Sequence, residues 1–212
     1  MKKMPTPEEI LTGLAGIAND YTTVAIIWHL VLLLFIILLF IGKRPQKKYT
    51  GIFLTLPFIS VGIIALLAGN PFNAVVFLVL SFILLLYALK LPAENIELKL
   101  NLSGIFGIIM VAFAWVDPHF FEYESLIKYL YASPIGLTPC PTLILVIGFT
   151  LLFQGFGSRR WILVLTLIGL YYGITGLISL KVWIDAGLVL GALVLGSNLF
   201  RQLPHPDPMG EK

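Results

Sequence analysis

The stretch TTVAIIWHLVLLLFIILLFIGKRPQKKYT, residues 22–50, joins an unbroken apolar run to the densest basic cluster in the chain. The run, about 22–42, carries no acidic or basic residue beyond His29 and supplies the roughly 20 residues a helix needs to cross a bilayer's hydrocarbon. Lys43, Arg44, Lys47 and Lys48 follow at once. Short loops rich in Lys and Arg stay in the cytoplasm, so the cluster fixes a side as well as an end. Lipid offers no partner to an open backbone, so the expected fold is all-α, a polytopic transmembrane helical bundle.

Further apolar segments at about 51–69, 71–91, 102–116, 139–156, 161–180 and 182–200 raise the expectation to about seven spans. Of the 212 residues 58% are hydrophobic and 12% charged, with mean hydropathy +0.97. Soluble domains carry roughly 25% charge, and so few charges could not cover a wet surface of this size. No polar insert is long enough to fold apart, so 1–212 reads as one integral membrane domain with a polar cytoplasmic tail at 201–212. The net charge of +3 reflects loop bias, and no basic patch suggests nucleic acid.

Two short helices are expected to lie in the interface. Within 1–21, Thr6 suits an N-cap, Pro7 the first helical position, and Glu8 and Glu9 the positive helix end. Ile10, Leu14 and Ile17 form one apolar stripe, and the two glutamates interrupt any signal-peptide core. Within 120–132, Phe120, Tyr123, Ile127 and Tyr131 share a face, Glu124 and Lys128 form an i,i+4 pair, and Asp117-Pro118 reads as cap and first residue. With the first loop cytoplasmic, that side receives Lys43, Arg44, Lys47, Lys48, Lys90, Lys99, Arg159, Arg160, Arg201 and Lys212. Only Lys2, Lys3, Lys128 and Lys181 face away. The expected placement is the cell (inner) membrane, N-terminus outside and C-terminus cytoplasmic. The tight SLKVWIDAG hairpin leaves the division between the last two spans open at 180–186.

This topology draws His29, Asn70, Asn73, Asp117, His119, Cys140 and Asp185 toward the outer leaflet, and a polar group at the membrane edge is a candidate site. In GLTPCPTL, 136–143, Thr138 as N-cap puts Pro139, Cys140 and Pro141 at the first three helical positions. Backbone N–H groups there have no intrahelical partner, so prolines cost little. Cys140 sits in the helix's positive field, as reactive thiols do; a small buried filler is the plainer alternative. Joined by His29 and His119 it would suit a soft metal ion, although no close ligand pair marks a site. A single cysteine excludes an intrachain disulfide and a CxxC pair.

His29 could hydrogen-bond a neighbouring span or serve a proton path. Asp185 is expected to pair with Lys181 one turn earlier, at the surface. Asp117 is expected as a cap, and His119 with Glu122 as interfacial side chains. Of Tyr171 and Tyr172, at least one should point inward with its hydroxyl paired. Gly104, Gly107, Gly169, Gly173, Gly176, Gly187 and Gly191 should let helices approach closely. The late spans hold no lysine for a retinal Schiff base. G-x-S-x-G, H-E-x-x-H and phosphate-loop patterns are absent, and paired haem histidines are missing.

The run GLTPCPTLILVIGFTLL resembles the Gly-x-x-Pro-Cys-Pro-Thr-Thr signature of an uncharacterised family of small multi-pass bacterial membrane proteins. Gly136, Pro139, Cys140, Pro141 and Thr142 match, while Leu143 stands in place of the second Thr. AGNPFNAVVF and LKVWIDAGLVLGAL also look like that family's. The resemblance implies a multi-pass bundle and no particular activity. Three readings stay open. A permease-like protein would move or bind a small solute or ion, a soft metal included, from the outer side. An accessory or assembly subunit would join a larger membrane complex or a homo-oligomer. A membrane redox or thiol enzyme would use Cys140, though no catalytic motif favours an enzyme.

Overall fold

The computed structural model describes residues 6–118 and 126–201. Helix α1 (Pro7–Asp20) begins on the reciprocal cap its sequence encodes. The Thr6 hydroxyl accepts from the Glu9 amide at 3.3 Å and the Thr6 amide donates to the Glu9 carboxylate at 2.8 Å. Its apolar stripe is covered: Leu14 and Ile17 pack with Ala25, Ile64 and Leu137. The following helices are α2 (Thr22–Phe40), α3 (Lys47–Leu67) and α4 (Pro71–Leu89), with α3 and α4 packed as a hairpin. Helix α3 starts inside the basic cluster rather than after it. Residues 45–47 are held by the α4–α5 loop, where the Lys47 amide donates to the Glu94 carbonyl at 2.8 Å and the Ile96 amide to the Pro45 carbonyl at 3.0 Å.

Helices α5 (Leu102–Trp115) and α7 (Pro139–Leu152) have 14 residues each. At 1.5 Å per residue each is about 21 Å long, short of the roughly 30 Å hydrocarbon core. Among the described residues, five helical segments are long and apolar enough to cross a membrane: Thr22–Phe40, Lys47–Leu67, Pro71–Leu89, Arg159–Ser179 and Trp183–Phe200. This fits a multi-pass membrane protein. The surface agrees, since α2 alone exposes Leu30, Leu34 and Phe40, a face that only lipid or protein would solvate. Of the segment expected as a second interfacial helix, Leu126–Lys128 forms a 3-10 turn and α6 spans Tyr129–Ala132. The remainder, with its face of Phe120 and Tyr123, lies outside the described residues.

The sixth and seventh segments divide where the sequence left the division open. Helix α8 (Arg159–Ile174) widens into a π turn, Thr175–Ser179, and Lys181 takes φ +57°. A 3-10 turn, Trp183–Asp185, then feeds α9 (Ala186–Arg201). Helices α8 and α9 pack together, as do α5 and α7.

Helix α7 is the axis. Every one of its residues except Cys140 is buried. It is walled by α3, α5, α8 and α9, and Phe35 of α2 closes the remaining side against Phe149, with ring centroids 5.5 Å apart. A helix apolar all round belongs in an interior. Close approach, rather than hydrophobic burial, holds helices together in lipid. A Cβ on Gly148 would meet the Gly107 carbonyl at 2.8 Å and the Val111 amide at 3.0 Å, so α5 and α7 touch backbone to backbone. The bundle thus has two ends. The thiol end carries the starts of α7 and α9. The basic end carries Lys43, Arg44, Lys47, Lys48, Lys90, Lys99, Arg159 and Arg160.

Candidate functional site

The approach to α7 decides the chemistry of the thiol end. Residues 133–138 are irregular backbone, yet all are buried. Buried backbone needs partners, and it has them. The Ile135 amide donates to the Ser133 carbonyl at 2.7 Å, and the Leu137 and Thr138 amides both donate to the Pro134 carbonyl at 3.1 Å. The Gly136 amide donates to the Thr142 hydroxyl at 2.8 Å, and that hydroxyl donates to the Thr138 carbonyl at 2.7 Å. Gly136 has φ +74°, and the Trp28 indole occupies the place a Cβ would take. The indole is fixed in turn by its Nε1, which donates to the Ser60 hydroxyl at 3.0 Å. Thr138 is the N-cap by position but not by side chain: its hydroxyl turns back to the Pro134 carbonyl at 3.4 Å.

Pro139, Cys140 and Pro141 occupy the first helical positions as expected. The Cys140 thiol donates to Asp185 Oδ2 at 3.4 Å. Asp185 is 3% exposed and lies against Gly176, whose missing Cβ leaves room for the carboxylate inside the π turn. This corrects the expected Lys181–Asp185 surface pair. The helix is broken between them, so the i,i+4 relation does not exist; Lys181 is exposed and Asp185 faces inward. Asp117, 1% exposed, is near enough for its charge to act on the same sulfur. It follows the end of α5, its amide donating to the Ala114 carbonyl at 3.4 Å, and caps no described helix.

Tyr172 is the inward tyrosine. Its hydroxyl donates to Asn73 Oδ1 at 2.8 Å. Tyr171 is half exposed and meets Tyr172 edge to face at 5.3 Å. His29, buried, stands apart as a tie between helices. Nδ1 lies 2.9 Å from the Ala25 carbonyl in its own helix and Nε2 lies 3.2 Å from the Trp115 carbonyl of α5. A neutral imidazole has one N–H, so it donates to one of the two. Of the expected site, the structure joins Cys140 to Asp185, with Asp117 buried at the same end, while Tyr172 pairs with Asn73 and His29 with two backbone carbonyls. His119 lies outside the described residues. Among those described, no three of His, Cys, Asp and Glu stand close enough to hold a metal ion.

Sequence reading passed over the Thr142–Gly136–Trp28–Ser60 lock, because each partner is an unremarkable residue in a different segment. It also passed over the opposite end of α7, where Gln154 to Gly157 take φ of +54°, +63°, +56° and +71° in succession. Glycine relieves that strain at Gly155 and Gly157. Gln154 is clasped by Asn101 through side-chain amide bonds of 3.3 and 3.2 Å, and Phe156 is buried edge to face on Trp161 at 5.3 Å.

The arrangement is an acidic pocket with a thiol in it. Pro118 and Ile184, neighbours in sequence of the two carboxylates, line an open cleft of about 390 Å³ with Leu11, Trp183 and the exposed Lys181 at the same end. A helix start attracts anions, but an anion arriving here would face two buried carboxyl groups. A cation or a proton would pass the exposed Lys181 at the rim and then meet carboxyl groups of favourable sign. Comparison with protein-family models, with curated proteins and with solved structures finds no match.

Proposed function

We propose that the chain is a permease-like bundle that admits a small cation at the thiol end. The observation that carries this reading is the pairing of a buried irregular segment with buried carboxylates at one entrance. Non-helical backbone at membrane depth is kept where it lines a pathway or is packed in protein, and broken helices in transporters put binding groups there. Ionisable side chains so deeply buried mark ion or proton paths. Asp185 is the carboxylate that meets the cation, Cys140 beside it a soft neighbour that biases the pocket toward a thiophilic ion, and Asp117 adds negative charge at the same end without completing a ligand set. The conformation described is closed, since α7 is packed along its length. In this reading the basic end faces the cytoplasm and the cation enters from outside. The resemblance of residues 136–142 to a multi-pass bacterial family supports the architecture and adds no substrate.

Purified protein in liposomes tests it, with proton flux followed by an entrapped pH dye and Zn²⁺ or Cu⁺ uptake by a chelating dye. Asp185→Asn should abolish flux of the transported ion, Cys140→Ser should lower it about tenfold, and Arg159→Gln at the far end should leave it unchanged. Wild-type rates equal to those of empty liposomes for every ion would overturn the proposal.

A further inference from the structure

The basic end holds a second, differently built site. A cleft of about 370 Å³ opens between the start of α3, the end of α4 and the start of α8, lined by Lys47, Tyr87, Lys90, Phe156, Ser158 and Arg160 among others. Three cations from three elements converge on it. Lys47 is neutralised by Glu94 at 2.6 Å. Lys90 and Arg160 are exposed, and no ion pair to either exists among the described residues. The left-handed turn ending at Gly157 aims the start of α8 into the same space, where Ser158 accepts from the Trp161 amide at 3.3 Å and the first-turn N–H groups ahead of it have no helical partner. Buried Phe156 and Leu91 form an apolar floor.

We propose that this cleft binds a phosphate-bearing anion, supplied by the headgroup of an anionic phospholipid. Arginine and a helix start recognise phosphate oxygens geometrically, and lysines add charge. Basic pockets between helices at a membrane surface take lipid headgroups in this way. The apolar floor beside the charges and the position at the helix ends, where headgroups lie, favour a lipid over a free ion. Unlike the thiol end, this site has no buried carboxylate, and it stands whether or not the protein moves cations.

The test uses full-length protein in nanodiscs of phosphatidylcholine doped with phosphatidylglycerol or cardiolipin. Retained lipid is counted by mass spectrometry after transfer to detergent. In parallel, melting is compared in inorganic phosphate and in chloride at equal ionic strength. Wild type should retain anionic lipid over phosphatidylcholine. Lys90→Gln and Arg160→Gln should each weaken retention about fivefold, the worth of one basic side chain at a lipid surface. Arg159→Gln, adjacent in sequence but outside the cleft, should not. A phosphate-dependent rise in melting temperature lost in Arg160→Gln, without lipid retention, would keep the phosphate site and reassign its source. Equal losses in Arg159→Gln and Arg160→Gln would mean diffuse surface charge and overturn the site, as would no preference for either anion.

Discussion

At its start, α7 is entered from irregular backbone that is wholly buried, and the acidic groups nearby, Asp117 and Asp185, point into protein. At its end the chain leaves through a left-handed turn, and the charges nearby, Lys90, Arg159 and Arg160, point outward. Both ends use prolines or glycines to turn the chain. They differ in what was desolvated. A buried carboxylate is expensive and needs a reason; an exposed lysine at a helix end is inexpensive and anchors the bundle. The first end is accordingly the better candidate for chemistry and the second for adhesion to headgroups.

The contrast depends on α7 staying sealed against α5, so parting those helices should have the largest effect. Gly148→Val places a branched side chain against the Gly107 carbonyl and the Val111 amide, both backbone atoms that cannot swing aside. Overpacking of this kind costs about 3 kcal/mol. The expected outcome is loss of cooperative thermal unfolding in detergent, or a melting temperature many degrees lower.

The buried approach should be next most sensitive. Thr142→Val keeps the shape of the side chain and removes the acceptor that the buried Gly136 amide uses, the only one it has among the described residues. Leaving a buried donor unpaired costs about 2 kcal/mol. Chemical denaturation in detergent should show that loss, together with faster thiol labelling of Cys140 as the segment loosens. Unchanged stability would mean that water already solvates residues 133–138 and that the thiol end is open.

Much of this contrast could be read in the sequence, and the part that could not has a physical cause. The cap at Thr6 and the proline start of α7 are local signals, set by neighbours within a turn, and the structure bears them out. The short reach of α7 was hidden because apolar residues continue past Leu152 into a turn whose handedness depends on Gln154 pairing with Asn101, far away in sequence. Asp185 was read as a surface partner of Lys181 because helical spacing assumes an unbroken helix. The π turn at Thr175–Ser179 and the left-handed Lys181 reverse the chain and redirect the carboxylate to Cys140. Cys140 and Asp185, grouped by leaflet in the sequence, touch, whereas His29 of the same group is tied to the Ala25 and Trp115 carbonyls, since leaflet depth does not say which helices touch.

Ser158 offers the finest comparison with Thr142, because each hydroxyl accepts from a backbone amide at one end of the same axial region. The Ser158 hydroxyl receives the Trp161 amide at 3.3 Å, half exposed at the mouth of the basic cleft. Water can replace a cap in that position, so Ser158→Ala should cost about 1 kcal/mol, half the effect at Thr142. Ser158→Gly should cost only a few tenths of a kcal/mol, as N-cap glycine leaves the amide open to solvent. If the alanine and glycine variants unfold at the same denaturant concentration as Thr142→Val, the basic end is as dry as the thiol end. Its cations would then have to be read as buried charges in need of partners, and no longer as a headgroup cradle.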